Sequence, residues 1–283
     1  MKNRLIPFVL FATILMTLIG CCNTVPKETE APQTTAYEQP VMTAMSYNLY
    51  SADITDARAE RVISLIRKYH PDTLGVQEAT AGWMDRLERN LGDEYDYVAL
   101  GRDEQGRGER NAIFYRNDLF KLLDSGTRWL SDTPDTVSKY DASACNRILT
   151  YALLERIADG EKILLVNTHL DYLLESVRLK QAKVLSAFLN EYGDYPTVLS
   201  GDFNAGPTSS VMTHLDGSGM QAGYLWAGID KVVPTHEDGG FLDYILFSEN
   251  DFEGLSYHIA DEKVDGEYPS DHFPVIAVYK FKD

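Results

Sequence analysis

Cysteine is scarce in this chain. Three occur in 283 residues, and two of them, Cys21 and Cys22, are adjacent near the N-terminus, so Cys145 alone remains for the folded part. A lone thiol forms no internal disulfide. With no Cys-x-x-Cys and no His-x-x-x-His, the usual redox and zinc patterns are also missing. Positive charge is short as well. There are 26 Lys and Arg against 43 Asp and Glu, a formal net charge of −17. Such a surface repels polyanions unless a metal or a local basic groove offsets it, which weighs against long nucleic acid as the main ligand. No apolar run prefers to span a bilayer, and there are no internal repeats. What remains, 44% hydrophobic and 24% charged, is ordinary globular composition, enough for one large domain or two small ones.

The first twenty residues read as a secretory signal, with Lys2 and Arg4 as its charged start and Ile6 to Ile19 as an apolar stretch too short for a span. Leu18-Ile19-Gly20-Cys21 looks like a bacterial lipobox, so cleavage before Cys21 and its diacylation are expected, with a lipid anchor at the cell envelope. Residues 21–40, rich in Thr, Pro, Glu and Gln, read as a flexible tether. The folded domain is expected over 41–283, with Cys145 packed inside it.

Periodicity places a strand over Val41–Asn48. A helix follows over Asp56–Tyr69, its apolar face carried by Val62, Leu65, Ile66 and Tyr69 and its end marked by Pro71. Thr73–Gln77 is a strand running into Glu78, and a second helix presents Met84, Leu87 and Leu91. Strands are expected at Tyr95–Leu100 and Asn111–Tyr115, separated by a charged, Gly-rich loop from Arg102 to Arg110. Leu149–Leu154 and Lys162–Thr168 form a hairpin about Ala158-Asp-Gly160. A helix spans Leu174–Asn190 with Val177, Val184, Leu185 and Phe188 inward. Strands at 197–201, Leu242–Phe247 and Pro274–Lys280 complete the set.

The chain is organised around Thr197-Val-Leu-Ser-Gly-Asp-Phe-Asn-Ala-Gly-Pro207. If strand geometry persists to its end, Asp202 and Asn204 face one cleft and Phe203 turns away; the plain alternative is a strand exit closed by an Asx turn. Strands repeatedly end in a polar side chain: Asn48, Glu78, His169, Asp202 and, beside the last strand, Asp271-His272. Ligand sites in sheet-plus-helix folds gather at such ends. Asn48, Glu78, Asp202, Asp243 and Asp271 offer oxygen ligands suited to a hard cation. Asp243 lies inside the apolar run Phe241–Phe247, and a buried acid needs a partner, either His272 or a metal. His169 and His272 each sit beside an acid, Asp171 and Asp271, an arrangement that can orient an imidazole for phosphoryl or proton chemistry. His70, His214, His236 and His258 read as structural or surface residues.

Six segments in order, Ser46-Tyr-Asn48-Leu, Gly75-Val-Gln-Glu78, Asn167-Thr-His169-Leu-Asp171, Ser200-Gly-Asp202-Phe-Asn204, Leu242-Asp243-Tyr244-Ile245 and Ser270-Asp271-His272-Phe-Pro274, resemble the motifs of the endonuclease/exonuclease/phosphatase superfamily, whose members share the DNase I-like fold. Arg110–Tyr115 and Arg128–Pro134 resemble a bacterial subgroup of secreted metal-dependent hydrolases within it. The resemblance implies a four-layer α/β (α+β) sandwich, two mixed sheets face to face with helices outside. It also implies a Mg²⁺-dependent phosphoesterase, with Mn²⁺ as the alternative ion. Glu78 would be the principal metal ligand, with Asn48 and Asp271 at or near the metal. Asp202 would orient or deprotonate the attacking water, and Asn204 would position water and phosphate. Asp243 would orient His272 on the scissile phosphate, and His169 would contact the phosphate or assist the leaving group. The DNA-repair branch carries tyrosine where His169 falls, which argues against a repair enzyme. Expected partners are a phosphoester substrate (small molecule, lipid headgroup or nucleic acid) and, through the anchor, a membrane; the protein is expected to be a monomer. No convincing membrane-binding hairpin is present, Gly223–Gly228 being the one candidate. The rival readings are a nuclease proper and a non-catalytic surface-binding lipoprotein on the same fold.

Overall fold

A computed structural model describes residues 40–226 and 233–282. The signal segment, Cys21 and the tether lie outside the described residues, as does the end of the Gly223–Gly228 stretch. What precedes that end is a single helical turn, Gly223–Trp226, with Trp226 stacked on Phe247 at 4.4 Å between ring centroids.

Helices form on apolar stripes, and in the first two a threonine cap adds to the stripe. In α1 (Asp56–Tyr69) the Thr55 hydroxyl accepts from Arg58 N at 3.2 Å, and His70 closes the C-terminus in the left-handed region. In α2 (Ala81–Leu91) Thr80 caps Trp83 N in the same way. The third helix, α3 (Glu175–Glu191), buries Val177, Leu185 and Phe188 and leaves Val184 half-buried.

Among the described residues, twelve strands make two six-stranded mixed sheets. One sheet has the order β11 (Phe252–Ile259), β12 (Val275–Phe281), β1 (Met42–Asn48), β2 (Thr73–Ala79), β4 (Arg110–Arg116), β3 (Tyr95–Val98). The other runs β5 (Phe120–Trp129), β6 (Ile148–Arg156), β7 (Lys162–His169), β8 (Thr197–Asp202), β10 (Asp243–Ser248), β9 (Met220–Ala222). The period of two assigns each strand's faces. From β1, Met42 and Ala44 join the core between the sheets, while Met45 and Tyr47 pack beneath α1 and α2. Phe114 and Ala112 of β4 follow Met45, and Ile113 and Tyr115 follow Met42. The second sheet is covered on its far side by α3 and by α4 (Ser210–Asp216). The result is the four-layer sandwich expected, a DNase I-like α/β fold.

Polar side chains also join the two sheets. Gln77 Nε2 donates to Asn167 Oδ1 at 2.7 Å, and Asn167 Nδ2 donates to Val76 O and Ala112 O, each at 2.9 Å. Gly75 permits this approach: a Cβ there would lie 2.2 Å from Ser200 Oγ.

Strand polarity gathers the polar ends. β1 and β2 are parallel, β12 is antiparallel to β1, β7 and β8 are parallel, and β10 is antiparallel to β8. The C-terminal ends of β1, β2, β7 and β8 therefore share one edge of the sandwich with the N-terminal ends of β10 and β12.

Candidate active site

That edge holds Asn48, Glu78, His169, Asp202, Asn204, Asp243, Asp271 and His272. Asn48 joins the two sheets. Its Oδ1 accepts from Tyr50 N at 3.0 Å, which turns its amide nitrogen toward the acids. That nitrogen donates to Glu78 Oε1 at 3.2 Å and to Asp202 Oδ2 at 3.0 Å, and lies 3.4 Å from His272 Nε2. Glu78 sits at an irregularity of β2 between Val76 and Ala79, in the left-handed region at φ 56°. A bulge there re-aims the side chain, and strained backbone of this kind collects at functional sites. The second Glu78 oxygen accepts from Ser51 N at 2.8 Å.

The loop that carries Ser51 is organised by Arg58, a buried guanidinium that donates to Leu49 O, Tyr50 O, Ala52 O and, at 2.8 Å, Pro269 O. The rings of Tyr50 and Trp83 lie against it at 5.3 and 4.9 Å.

The 197–207 segment departs from the extended reading. The strand stops at Asp202, and Asn204 enters the left-handed region at φ 48°. Asp202 Oδ1 accepts from Asn204 N at 2.9 Å, an Asx turn, and Phe203 is fully buried. Asn204 still reaches the site, because its amide donates to Leu170 O at 3.1 Å and meets His169 Nε2 at 3.0 Å. With both amide hydrogens so used, Nε2 is the acceptor and the proton sits on His169 Nδ1, a buried atom without a partner among the described residues.

The acids paired with the histidines lie across the fold rather than beside them in sequence. Asp171 accepts from Ser143 Oγ, Ala144 N and Leu173 N, and does not touch His169. Asp202, its register partner on β8, lies 3.3 Å from His169 Nε2. His272 Nδ1 bonds Asp243 Oδ2 at 2.8 Å, the partner expected for the buried acid. Asp271, the sequence neighbour, accepts from Ser270 Oγ at 3.3 Å.

Burial alone would pull the His272 imidazole down; Asp243, Asp202 and Asp271 outweigh it and push the group up to about 10. Burial, with Asp243 beside it, drives the Asp202 carboxyl well above the usual carboxylate range. His169 is held far below its usual value by burial and by the charges of Arg147, His272 and Arg102.

Four carboxylates thus share this edge with one charged imidazole, and the excess negative charge and the oxygen donors suit a hard divalent cation. Two triplets bring their ligand atoms within 4.8 Å of one another: Asp202, Asp243 and His272, and also His236, Asp271 and His272. Glu78 belongs to neither. Glu78 lies beside the first triplet, its Oε1 sharing the Asn48 amide nitrogen with Asp202 Oδ2, while Asn48 Oδ1 is taken by Tyr50 N.

Sequence reasoning overlooked three neighbours. The Thr235 hydroxyl donates to Asp243 Oδ2 at 2.7 Å and accepts from Leu242 N and Asp243 N. His236, set aside as structural, stacks edge-on against His272 at 4.5 Å and lies 3.8 Å from Asp271. Arg147 is buried and acts on His169. All three sit in irregular sequence with no periodic signal; only the rule that a buried acid needs several partners pointed toward Thr235.

Residues 45–272 match the Endonuclease/Exonuclease/phosphatase family. A mannosyl-6-phosphatase of Bacteroides thetaiotaomicron has a similar structure, with a TM-score of 0.77 at 27% identity over 85% of this chain and 100% of that one. An endonuclease/exonuclease/phosphatase from Bacteroides vulgatus gives 0.78 at 28%, over 86% and 100%. The Ccr4 exoribonuclease subunit of the CCR4-Not complex of Saccharomyces cerevisiae is 23% identical over 80% of this chain; the chain spans only 35% of that protein's length.

Proposed function

Because this chain belongs to the endonuclease/exonuclease/phosphatase family, we propose that it is a Mg²⁺-dependent phosphoesterase acting on small or lipid-derived phosphoesters, held at the cell envelope by lipid on Cys21. The observation that carries the reading is the single contact chain running from Glu78 through Asn48 to Asp202, and from His272 to Asp243. A binding relic has no reason to keep every member.

Glu78 and Asp271 would hold the cation, with Asn48 near it steadying the Glu78 carboxylate; when bound, the ion supplies positive charge to the phosphoryl oxygens. Asp202, its proton affinity raised by burial, takes a proton from the attacking water as the water oxygen bonds phosphorus. Asp202 then returns that proton to solvent as the product leaves. The charged His272, steadied by Asp243 and Thr235, faces the phosphoryl oxygens and stabilises the pentacovalent transition state. The buried Nδ1–H of His169 is a further donor for them. As the ester P–O bond breaks, the leaving oxygen takes a proton from solvent. Family members generally depend on divalent metals, and a relative named as a sugar phosphatase together with the acidic surface favours small substrates over strands.

The test is release of p-nitrophenol from bis-p-nitrophenyl phosphate and p-nitrophenyl phosphate, with Mg²⁺ and with EDTA. Turnover with Mg²⁺ that EDTA abolishes is expected, and none on either ester removes the catalytic reading. The anchor is tested separately: Cys21→Ala should release the protein from the membrane fraction, and unchanged fractionation would show the lipoprotein reading wrong.

A further inference from the structure

In a chain of net charge −17, the segment from β3 into β4 gathers three arginines, Arg102, Arg107 and Arg110, against three acids, Asp103, Glu104 and Glu109. Arg102, Arg107 and Arg110 line a cleft of about 520 Å³ with Glu109 and the first residues at α2, Thr80 and Ala81, a volume suited to part of a small molecule. Arg102 pairs with Glu109. Arg107 and Arg110 donate only to carbonyls of their own loop, Glu104 O at 3.2 Å, Gly108 O at 3.0 Å and Gly106 O at 3.3 Å, and meet no carboxylate among the described residues.

The loop is held in one shape. At Gly101 a Cβ would lie 2.1 Å from Arg107 O, so only glycine lets the chain fold back there. Asp103 N donates to Arg107 O at 3.0 Å, Trp129 Nε1 to Arg102 O at 2.8 Å and Asn146 Nδ2 to Asp103 Oδ1 at 2.9 Å. The guanidinium charge is therefore preorganised before any ligand arrives.

The cleft also adjoins the acid cluster. Burial raises the proton affinity of Glu109, as does the carboxylate of Glu78, which lies within electrostatic reach. Arg147, only 5% exposed, acts on both Glu109 and His169, and its Nε is buried without a partner among the described residues. A buried guanidinium with an open donor calls for an anion, and this one is felt both by Glu109 of the cleft and by His169 of the catalytic edge.

We propose that the arginine cleft is a second anion subsite, taking a phosphate or carboxylate that the substrate carries away from the ester being cleaved, so that the favoured substrates are small molecules with two anionic groups. This deepens the phosphoesterase reading and rests on it. The overall negative charge opposes a long strand, which is why a small molecule is the occupant.

Calorimetric binding with Ca²⁺ in place of Mg²⁺ keeps a divalent cation at the catalytic edge and reads the cleft by binding rather than by turnover. Fructose bisphosphate should bind roughly tenfold or more tightly than fructose monophosphate, as two charge-assisted guanidinium contacts imply. Arg107→Gln with Arg110→Gln should bring the two affinities together. Equal affinities in the unaltered protein, or a preference that survives both substitutions, would overturn the subsite. A short single-stranded oligonucleotide that outcompetes the bisphosphate and loses its advantage in the same variants would overturn the small-molecule assignment. Hydrolysis is scored apart: a retained bisphosphate preference with no p-nitrophenol release would defeat the phosphoesterase proposal and leave the cleft standing.

Discussion

Asn48 bonds one acid from each sheet with a single amide nitrogen, and the residues around it divide their work by chemistry. If Glu78 holds the cation, Glu78→Gln keeps the shape and removes a charge, so apparent Mg²⁺ affinity should fall and excess Mg²⁺ should restore part of the rate. His272→Ala removes a charge that metal cannot replace, and kcat should drop by about a hundredfold or more. Asp243→Asn should give a milder form of that loss, because Thr235 still braces the site. Rate against Mg²⁺ concentration separates these outcomes, and full rescue of His272→Ala by metal would show the roles misassigned. The pH profile tests Asp202. A general base must be unprotonated, and its proton affinity is raised, so kcat/KM should fall as pH drops through a value above the ordinary carboxylate range of about 4. An acid limb at that ordinary range would point to another base. The sequence made His272 and Asp243 legible as a pair because an acid inside an apolar run demands a partner. It misled on Asp171 and Asp271, since adjacency along a chain says nothing about which side chains meet after folding. Thr235 and Arg147 act from irregular segments, where spacing carries no geometric information.

Among the elements, those whose faces are both buried were readable, and of the edge strands β3 was, expected over Tyr95–Leu100 and found over Tyr95–Val98. β1, β2, β4, β6, β7 and β8 lie within their sheets and coincide with apolar runs; β5, β9 and β11 are all edge strands that periodicity passed over. β5 is exposed over much of its length, carries Lys121, Asp124 and Arg128, and is irregular between Leu122 and Asp124. Charge and bulges of this kind discourage pairing with other chains and erase the alternation that reveals a strand. The close contact of the two sheets gives a stability test. Gly75→Ala forces a Cβ to 2.2 Å from Ser200 Oγ, and overpacking of this sort costs about 1–3 kcal/mol. The melting midpoint should drop, and adding Ser200→Ala should recover part of the loss. A Gly75→Ala protein as stable as the parent would mean the sheets can separate freely at that point.

At the scale of the whole molecule the excess of acids sets solution behaviour. Self-repulsion in a chain of net charge −17 opposes compaction. Raising salt from about 10 mM to about 150 mM shortens the screening length from about 30 Å to about 8 Å. The melting midpoint should rise over that range, and a fall would show that local ion pairs outweigh the global repulsion. The layered architecture has one further consequence, in the timing of biosynthesis. β12, which follows His272, pairs with β1, which carries Asn48, so a strand made late seats against one made early. Until it does, the nascent polypeptide owns Glu78, Asp202 and Asp243 but not the imidazole that Asp243 holds. A product truncated ahead of His272 therefore lacks both the partner of Asp243 and the strand that seats β1, however well its earlier strands assemble.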